Sequence, residues 1–357
     1  MIKNTIITGT GSYIPKNVKL NQDFLQNTFY SEDNKKIDEP IERVIKKFKN
    51  ITDIAERRYV DDNMVCSSIA TLAAKKAIQD SGINPEELDY LIVAQNFGDV
   101  TKNTIQSDAV PSIASRVKQA LGIKNPKCVA YDILFGCPGW IEASIHAHAF
   151  MKAGMAKKCL VIGAETLSRV VDPHDRDSMI FADGAGATVL EMVEEETPRG
   201  VMAHATLSDT LEGADFLYMG KSNIPGADER IRYIKMKGRK IYEYALIKVP
   251  EAMKECMDDA EFKIQDLSMV LIHQANHKMD DAMIKRFFKL MNYNTIPKDI
   301  MPMTISKLGN SSVATIPTLY DLILTKNLEG HTLKKGDEIL FASVGAGMNI
   351  NAMAYRL

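Results

Sequence analysis

Tyr131-Asp132-Ile133-Leu134-Phe135-Gly136-Cys137-Pro138-Gly139-Trp140 decides how the rest of this 357-residue sequence is read. It opens as an apolar run of strand character, turns at Gly136, and enters a helix-like segment, Trp140 to Met151, with Cys137 at the turn. Pro138 suits the first turn of a helix, where its missing N–H costs no hydrogen bond. The free N–H groups of a helix start carry partial positive charge, which favours thiolate over thiol. The expectation is a cysteine fixed in place and stabilised as an anion. Most lone cysteines are small buried hydrophobes. What separates Cys137 from them is its context and two distant motifs, His273-Gln274-Ala275-Asn276 and Gly309-Asn310.

His273 follows the apolar strand Met269 to Ile272, and a histidine at a strand end reaches a cleft naturally. Asn310 precedes Ser311-Ser312 and a helical segment, a position that also suits a helix N-cap. Taken singly, each has a purely structural explanation. Together with a cysteine at a helix start they form a Cys/His/Asn set, a nucleophile with two polar partners. A metal is not expected. His273 and His277 have the i, i+4 spacing of the zinc-protease helix, but Gln274 stands where that signature needs a glutamate. His146 and His148 are two apart and point to different faces of their helix.

Outward from the nucleophile, strands alternate with helices. Strands are expected at Thr5 to Thr10, Tyr90 to Gln95, Cys128 to Ile133, Lys157 to Gly163 and Ala187 to Met192. Helices are expected at Asn21 to Asn27, Ile41 to Phe48, Val65 to Asp80, Ala114 to Leu121 and Trp140 to Met151. Gly9, Gly11 and Pro15 read as the end of the first strand, and Asp183 to Ala187 as a glycine-rich approach to the fifth. Residues 96–110 are polar and irregular, a length that points to a functional or interfacial loop. Glu194 to Gly200 is the best boundary, giving halves 1–196 and 197–357. The second half repeats the order: strand Val201 to Leu207, helix Ile241 to Asp259, strand Met269 to Ile272, helices Lys278 to Leu290 and Val313 to Leu324, and strands Glu338 to Ser343 and Asn349 to Arg356. This is an α/β pattern of sheets covered by helices.

Composition removes several function classes. The chain is 45% hydrophobic and 25% charged with a formal net charge of -2, which implies no general attraction to nucleic acid or to an anionic membrane. Its five cysteines form no C-x-x-C pair and no regular spacing, which fits a reducing cytoplasm and neither a zinc knuckle nor a disulfide framework. The N-terminal stretch lacks a signal-peptide pattern, and no apolar run approaches the ~18 residues of a membrane span.

The ordered set of motifs resembles the thiolase superfamily, and within it the β-ketoacyl-acyl-carrier-protein synthase III group. The matching pieces are Thr8 to Pro15, Glu56-Arg57-Arg58, Gly136-Cys137-Pro138-Gly139, Asp172-Pro173-His174-Asp175-Arg176, Asp183 to Ala187, His273 to Asn276, Gly309 to Pro317 and Gly345-Ala346-Gly347. The resemblance implies a duplicated α-β-α-β-α five-layered fold, a homodimer, and an active site between the halves. It implies that Cys137 takes an acyl group from acyl-CoA or another acyl thioester, with the N–H groups of Cys137 and Ala346 facing the oxyanion. His273 and Asn310 would hold the enolate left when a malonyl thioester loses carbon dioxide. Arg176 matches a position near the CoA mouth, and Gly238 and Asn276 match positions along the pantetheine arm. CoA or phosphopantetheine thioesters enter as substrates, with no resident cofactor. Lys278, Lys285, Arg286 and Lys289 follow His273 on one helix; they read either as a dock for an acidic acyl carrier protein or as a solvated face.

The sequence departs from the family pattern in four places. The tryptophan that stacks on the CoA adenine is absent, since the only one is Trp140. Residues 20–56 and 96–110 are longer, and Phe135 and Pro138 flank the nucleophile. These changes point towards a longer acyl chain, a carrier-bound donor or a specialised condensation. Acyl transfer without decarboxylation, and a partner subunit that only shapes another enzyme's pocket, are the alternatives; the second fits poorly with a chain that keeps all three polar residues.

Overall fold

The computed structural model describes residues 1–104 and 106–357; Ile105, within the irregular 96–110 stretch, lies outside the described residues. In chain order the first part forms β1 (Ile2–Tyr13), β2 (Asn17–Leu20), α1 (Ile41–Thr52), β3 (Glu56–Tyr59), α2 (Cys66–Ser81), β4 (Tyr90–Ala94), α3 (Ile113–Ala120), β5 (Val129–Ile133), α4 (Gly139–Lys152), β6 (Lys158–Thr166) and β7 (Asp183–Glu195). The second forms β8 (Gly200–Ser208), α5 (Thr210–Gly213), β9 (Leu217–Gly220), β10 (Tyr233–Met236), α6 (Gly238–Asp259), β11 (Leu267–Ile272), α7 (His277–Leu290), α8 (Ile305–Leu308), α9 (Thr315–Leu324), β12 (Glu338–Gly345) and β13 (Asn349–Arg356). One sheet has the order β1-β7-β6-β4-β5 and the other β11-β12-β13-β8.

Side-chain alternation stacks these sheets into five layers. On β6, Cys159 and Val161 face a central cluster, whereas Leu160, Ile162 and Ala164 face α2 and α3. On β12, Ile339 and Phe341 face the same central cluster, whereas Leu340, Ala342 and Val344 face α6 and α7. A period of two with both faces apolar is what a sheet buried on both sides requires. The central layer is α4 and α9, which contribute Trp140, Ile141, Leu319 and Tyr320 from between the sheets. Trp140 is thus core: it is buried, donates Nε1 to Thr188 Oγ1 at 3.2 Å and packs edge-on against Phe341. The architecture is the thiolase fold, α-β-α-β-α.

Several boundaries differ from the sequence reading. β1 runs through Gly9 and Gly11 to Tyr13 and does not stop at them. These glycines let α2 lie directly on the strand, since a Cβ at Gly9 would stand 2.4 Å from Ala77 O. Likewise β7 begins at Asp183, so the glycine-rich approach is itself strand, with α9 against Gly186. The segment Asn21 to Asn27 shrinks to a single 3₁₀ turn, Asn21–Phe24. The two-stranded antiparallel pairs β2–β3 and β9–β10 were not anticipated. Both are short and carry charged residues, so they lack the apolar alternation that marks a strand.

Candidate active site

Where β5 ends the chain turns at Gly136, held in the left-handed region at φ 69°, and Pro138 caps α4. A second turn, at the end of β12, meets the first. A Cβ at Gly136 would lie 2.5 Å from Ala346 N, and one at Gly345 would lie 2.3 Å from Cys137 N. Only glycine at both positions lets the backbone N–H groups of Cys137 and Ala346 stand side by side. Cys137 is half-buried, and Ser312 Oγ donates to its sulfur at 3.4 Å.

The thiol is not the resting anion that a helix start suggested. Burial pushes it up to about 11, and the negative side of Glu165 adds to this, while the Ser312 hydroxyl and a backbone N–H pull the other way. Cys137 precedes the cap residue of α4, and removal from water outweighs the helix-terminal charge there.

His273 directly follows β11 and is 5% exposed. Burial pushes its imidazole down to about 4, so it is neutral across the physiological range, and its Nδ1 has no protein partner. Gln274 beside it pins the segment that leads into α8, accepting from Thr304 N (2.8 Å) and Ile305 N (3.0 Å) and donating to Pro302 O (2.9 Å). Asn310 is clasped by the first half: its N–H donates to Ile180 O at 3.0 Å and its carbonyl accepts from Ala182 N at 2.7 Å. It is not a helix cap. Its Oδ1 accepts the Ser312 N–H at 2.8 Å and so holds Ser312 at φ 52°, an uncommon conformation for a residue with a Cβ. That turn brings the Ser312 hydroxyl to the sulfur.

Cys137, His273, Asn310 and Ala346 line one cavity of about 260 Å³. Its walls are mostly apolar: Phe97, Leu167 and Phe181 from the first half, and Leu217, Met219 and Met236 from the β9–β10 pair. A second cavity, of about 520 Å³, holds Arg176, Gly238 and Asn276. The two share Met236, Ile241, Ala275, Met279 and Asn310, so they adjoin across these residues. Asn276 is the cap of α7, with Oδ1 accepting from Lys278 N (3.0 Å) and Met279 N (3.3 Å). Lys278, Lys285 and Arg286 line neither cavity; they lie exposed along α7, where Lys285 pairs with Asp281 at 2.5 Å.

The sequence reading did not assign Ser312, Asn96 or Glu165. Ser312 was part of a quoted motif and Asn96 opened the irregular loop. Glu165 ends the apolar run Leu160 to Ala164, and an acid at the end of a buried strand was the available signal. Among the described residues no group of three His, Cys, Asp or Glu side chains is placed to hold a metal ion.

Two family models match this chain. One, described as 3-oxoacyl-[acyl-carrier-protein (ACP)] synthase III, covers residues 131–209, and its C-terminal counterpart covers residues 257–357. A β-ketoacyl-[acyl-carrier-protein] synthase III of Clostridium perfringens is 33% identical over all of both chains. That of Caldanaerobacter subterraneus is 34% identical over 96% of this chain and 94% of its own. The crystal structure of 3-oxoacyl-[acyl-carrier-protein] synthase III from Aquifex aeolicus superposes with a TM-score of 0.78 at 33% identity, covering 99% of this chain and 100% of its own.

Proposed function

The chain belongs to the 3-oxoacyl-[acyl-carrier-protein] synthase III family and is an acyl-transferring condensing enzyme, and on that premise we propose which residues carry the reaction. In the first half-reaction the Cys137 sulfur attacks the carbonyl of an acyl-CoA or acyl-carrier thioester. The S–C bond to Cys137 forms, the bond to the departing thiol breaks, and the thiol proton leaves with that group. The oxyanion faces the N–H groups of Cys137 and Ala346, where loss of one donor costs roughly 10²–10³ in rate.

In the second half-reaction a malonyl thioester enters past Arg176, Gly238 and Asn276, its thioester carbonyl towards His273 and Asn310. Loss of carbon dioxide leaves an enolate held by an imidazole N–H and a carboxamide. A neutral His273 suits this role, because an imidazolium would protonate the nucleophilic carbon. The enolate carbon attacks acyl-Cys137, the Cys137 sulfur departs, and a β-ketoacyl thioester is released. The observation that carries this reading is the single cavity lined by Cys137, His273, Asn310 and Ala346, which adjoins the cavity holding Arg176.

On this reading residues 1–196 and 197–357 act as two halves that meet at the reacting atoms. The exposed Lys278, Lys285 and Arg286 form a dock for an acidic acyl carrier protein. The working form is a cytoplasmic homodimer. In support, β5 is the edge of its sheet, and Val129, Leu134 and Val110 near it are 47%, 69% and 87% exposed. The product enters fatty acid synthesis, or a specialised acyl or polyketide chain.

The test is incubation with a panel of acyl-CoAs and acyl carriers, read by intact mass, followed by malonyl thioester. The expected result is one acyl adduct, absent from Cys137→Ala, that is discharged with release of carbon dioxide. Discharge to an alcohol without carbon dioxide would favour plain acyl transfer.

A further inference from the structure

Glu165 lies at the end of β6, 1% exposed and opposite Gly184 of β7. Its carboxyl group accepts from the side-chain amide of Asn96. The rest of that carboxamide is also committed. Asn96 Oδ1 accepts the Gly136 N–H at 3.1 Å, and Nδ2 reaches Ser312 Oγ at 3.4 Å. Asn96 therefore touches both the turn that precedes the nucleophile and the hydroxyl that donates to its sulfur. Turned over, the carboxamide would set Nδ2 against the Gly136 N–H, donor against donor, and Oδ1 against the acid. The Gly136 N–H thus fixes the productive orientation, and the Glu165 carboxyl accepts from the amide held that way. With the Ser312 lone pair engaged by Asn96, the hydroxyl proton is free to point at Cys137.

We propose that Glu165 is a positioning residue for acyl transfer, acting through the Asn96 carboxamide to hold the Gly136 turn and the Ser312 hydroxyl against Cys137. This rests on Cys137 being the acyl acceptor. The acid does not touch substrate and no proton passes through it, since a carboxamide does not relay one. Burial pushes Glu165 up to about 8 against the pull of Asn96, and Asp183 on β7 adds to the rise. The ionisable groups coupled to it are Cys137, Asp183 and Cys66. Glu165 is therefore neutral near pH 7, when its carbonyl oxygen still accepts from Asn96. Its ionisation at higher pH opposes thiolate formation at Cys137.

The test compares wild type, E165Q, E165L, N96A and the N96A/E165L double variant. Three readouts are taken: the rate of acyl-Cys137 formation by quenched intact mass, the pH profile of Cys137 alkylation by iodoacetamide, and the thermal midpoint. E165L and N96A are each expected to slow acylation roughly tenfold, the worth of one lost hydrogen bond, with half-saturating donor concentration unchanged. E165Q, which keeps an acceptor oxygen, should stay within roughly threefold of wild type. The double variant should be no slower than the slower single one, because both act through one network. In E165Q the Cys137 alkylation profile should shift to lower pH.

E165L acylating at the wild-type rate, E165Q falling as far as E165L, or losses that multiply in the double variant would each overturn the assignment. If E165L does not fold, N96A acylating at the wild-type rate overturns it alone. A wild-type chain that takes no acyl group on Cys137 overturns the functional reading itself; an acylating wild type with an indifferent E165L overturns only this inference.

Discussion

At the scale of single residues, a neutral thiol and a neutral imidazole face one cavity. Cys137 and His273 are both shifted towards their uncharged forms, by burial in each case. Alkylation of Cys137 should keep rising with pH towards about 11, where a helix-stabilised thiolate would level off near neutrality. Ser312→Ala removes a donor to the sulfur. It should push that profile higher still and slow acylation roughly tenfold. Cys137 and His273 were legible because each sits in a short motif at the end of an apolar run, and Asn310 because Gly309-Asn310 opens a quoted motif before a helical segment. Ser312, Asn96 and Glu165 were not, because their contacts exist only once three distant strand ends meet. The thiolate expectation erred because local sequence reports the helix start but not the depth of burial.

At the scale of elements, the β9–β10 pair roofs the cavity and is pinned by charge. Lys235, 5% exposed, binds Asp172 at 2.6 Å and Asp175 at 2.9 Å, with Asn223 Oδ1 at 2.8 Å. The Asp172 carboxyl ends below the usual carboxylate range: burial pushes it up, but Lys235, with the Asn223 and His174 N–H groups and the Ser222 hydroxyl, outweighs that. Lys235→Met leaves this acid buried without its cation. It should cost ~3 kcal/mol in urea unfolding and raise the KM for the acyl donor by loosening Leu217, Met219 and Met236. Gly345→Ala should fold less stably and lose most acyl transfer, because its Cβ would drive into Cys137 N. The long helices and buried strands were readable from periodicity. The roof was not, because its strands are four residues each and the ion cluster that fixes them joins residues about sixty positions apart.

At the scale of the whole molecule, the buried ionisable groups set how stability responds to pH. Glu165 and Asp183 titrate at about 8 and about 6, above an unfolded carboxylate. The folded chain keeps these protons longer than the unfolded chain, so their contribution is full at low pH and is lost as pH rises through those values. His148 and His273, at about 4, act in the opposite sense and cost stability as pH falls below about 6.5. Between pH 6.5 and 8 Glu165 acts in the same sense as Asp280, whose carboxyl burial also raises well above its ordinary value. The thermal midpoint should fall across that window in wild type and fall less in E165Q, as followed by calorimetry. The five-layered architecture was legible as alternating strands and helices, and its name came from motif order. The depth of the central layer, where α4 and α9 lie between two sheets, depends on pairings that no local pattern encodes.

The most direct measurement is an intact-mass time course on His273→Ala, given acyl donor and then malonyl thioester. If the first half supplies the nucleophile and the second half the enolate site, Cys137 acquires the acyl group at close to the wild-type rate. The adduct then persists, and carbon dioxide release falls by roughly 10²–10³. An adduct discharged as fast as in wild type, or one that never forms, would contradict that division of labour.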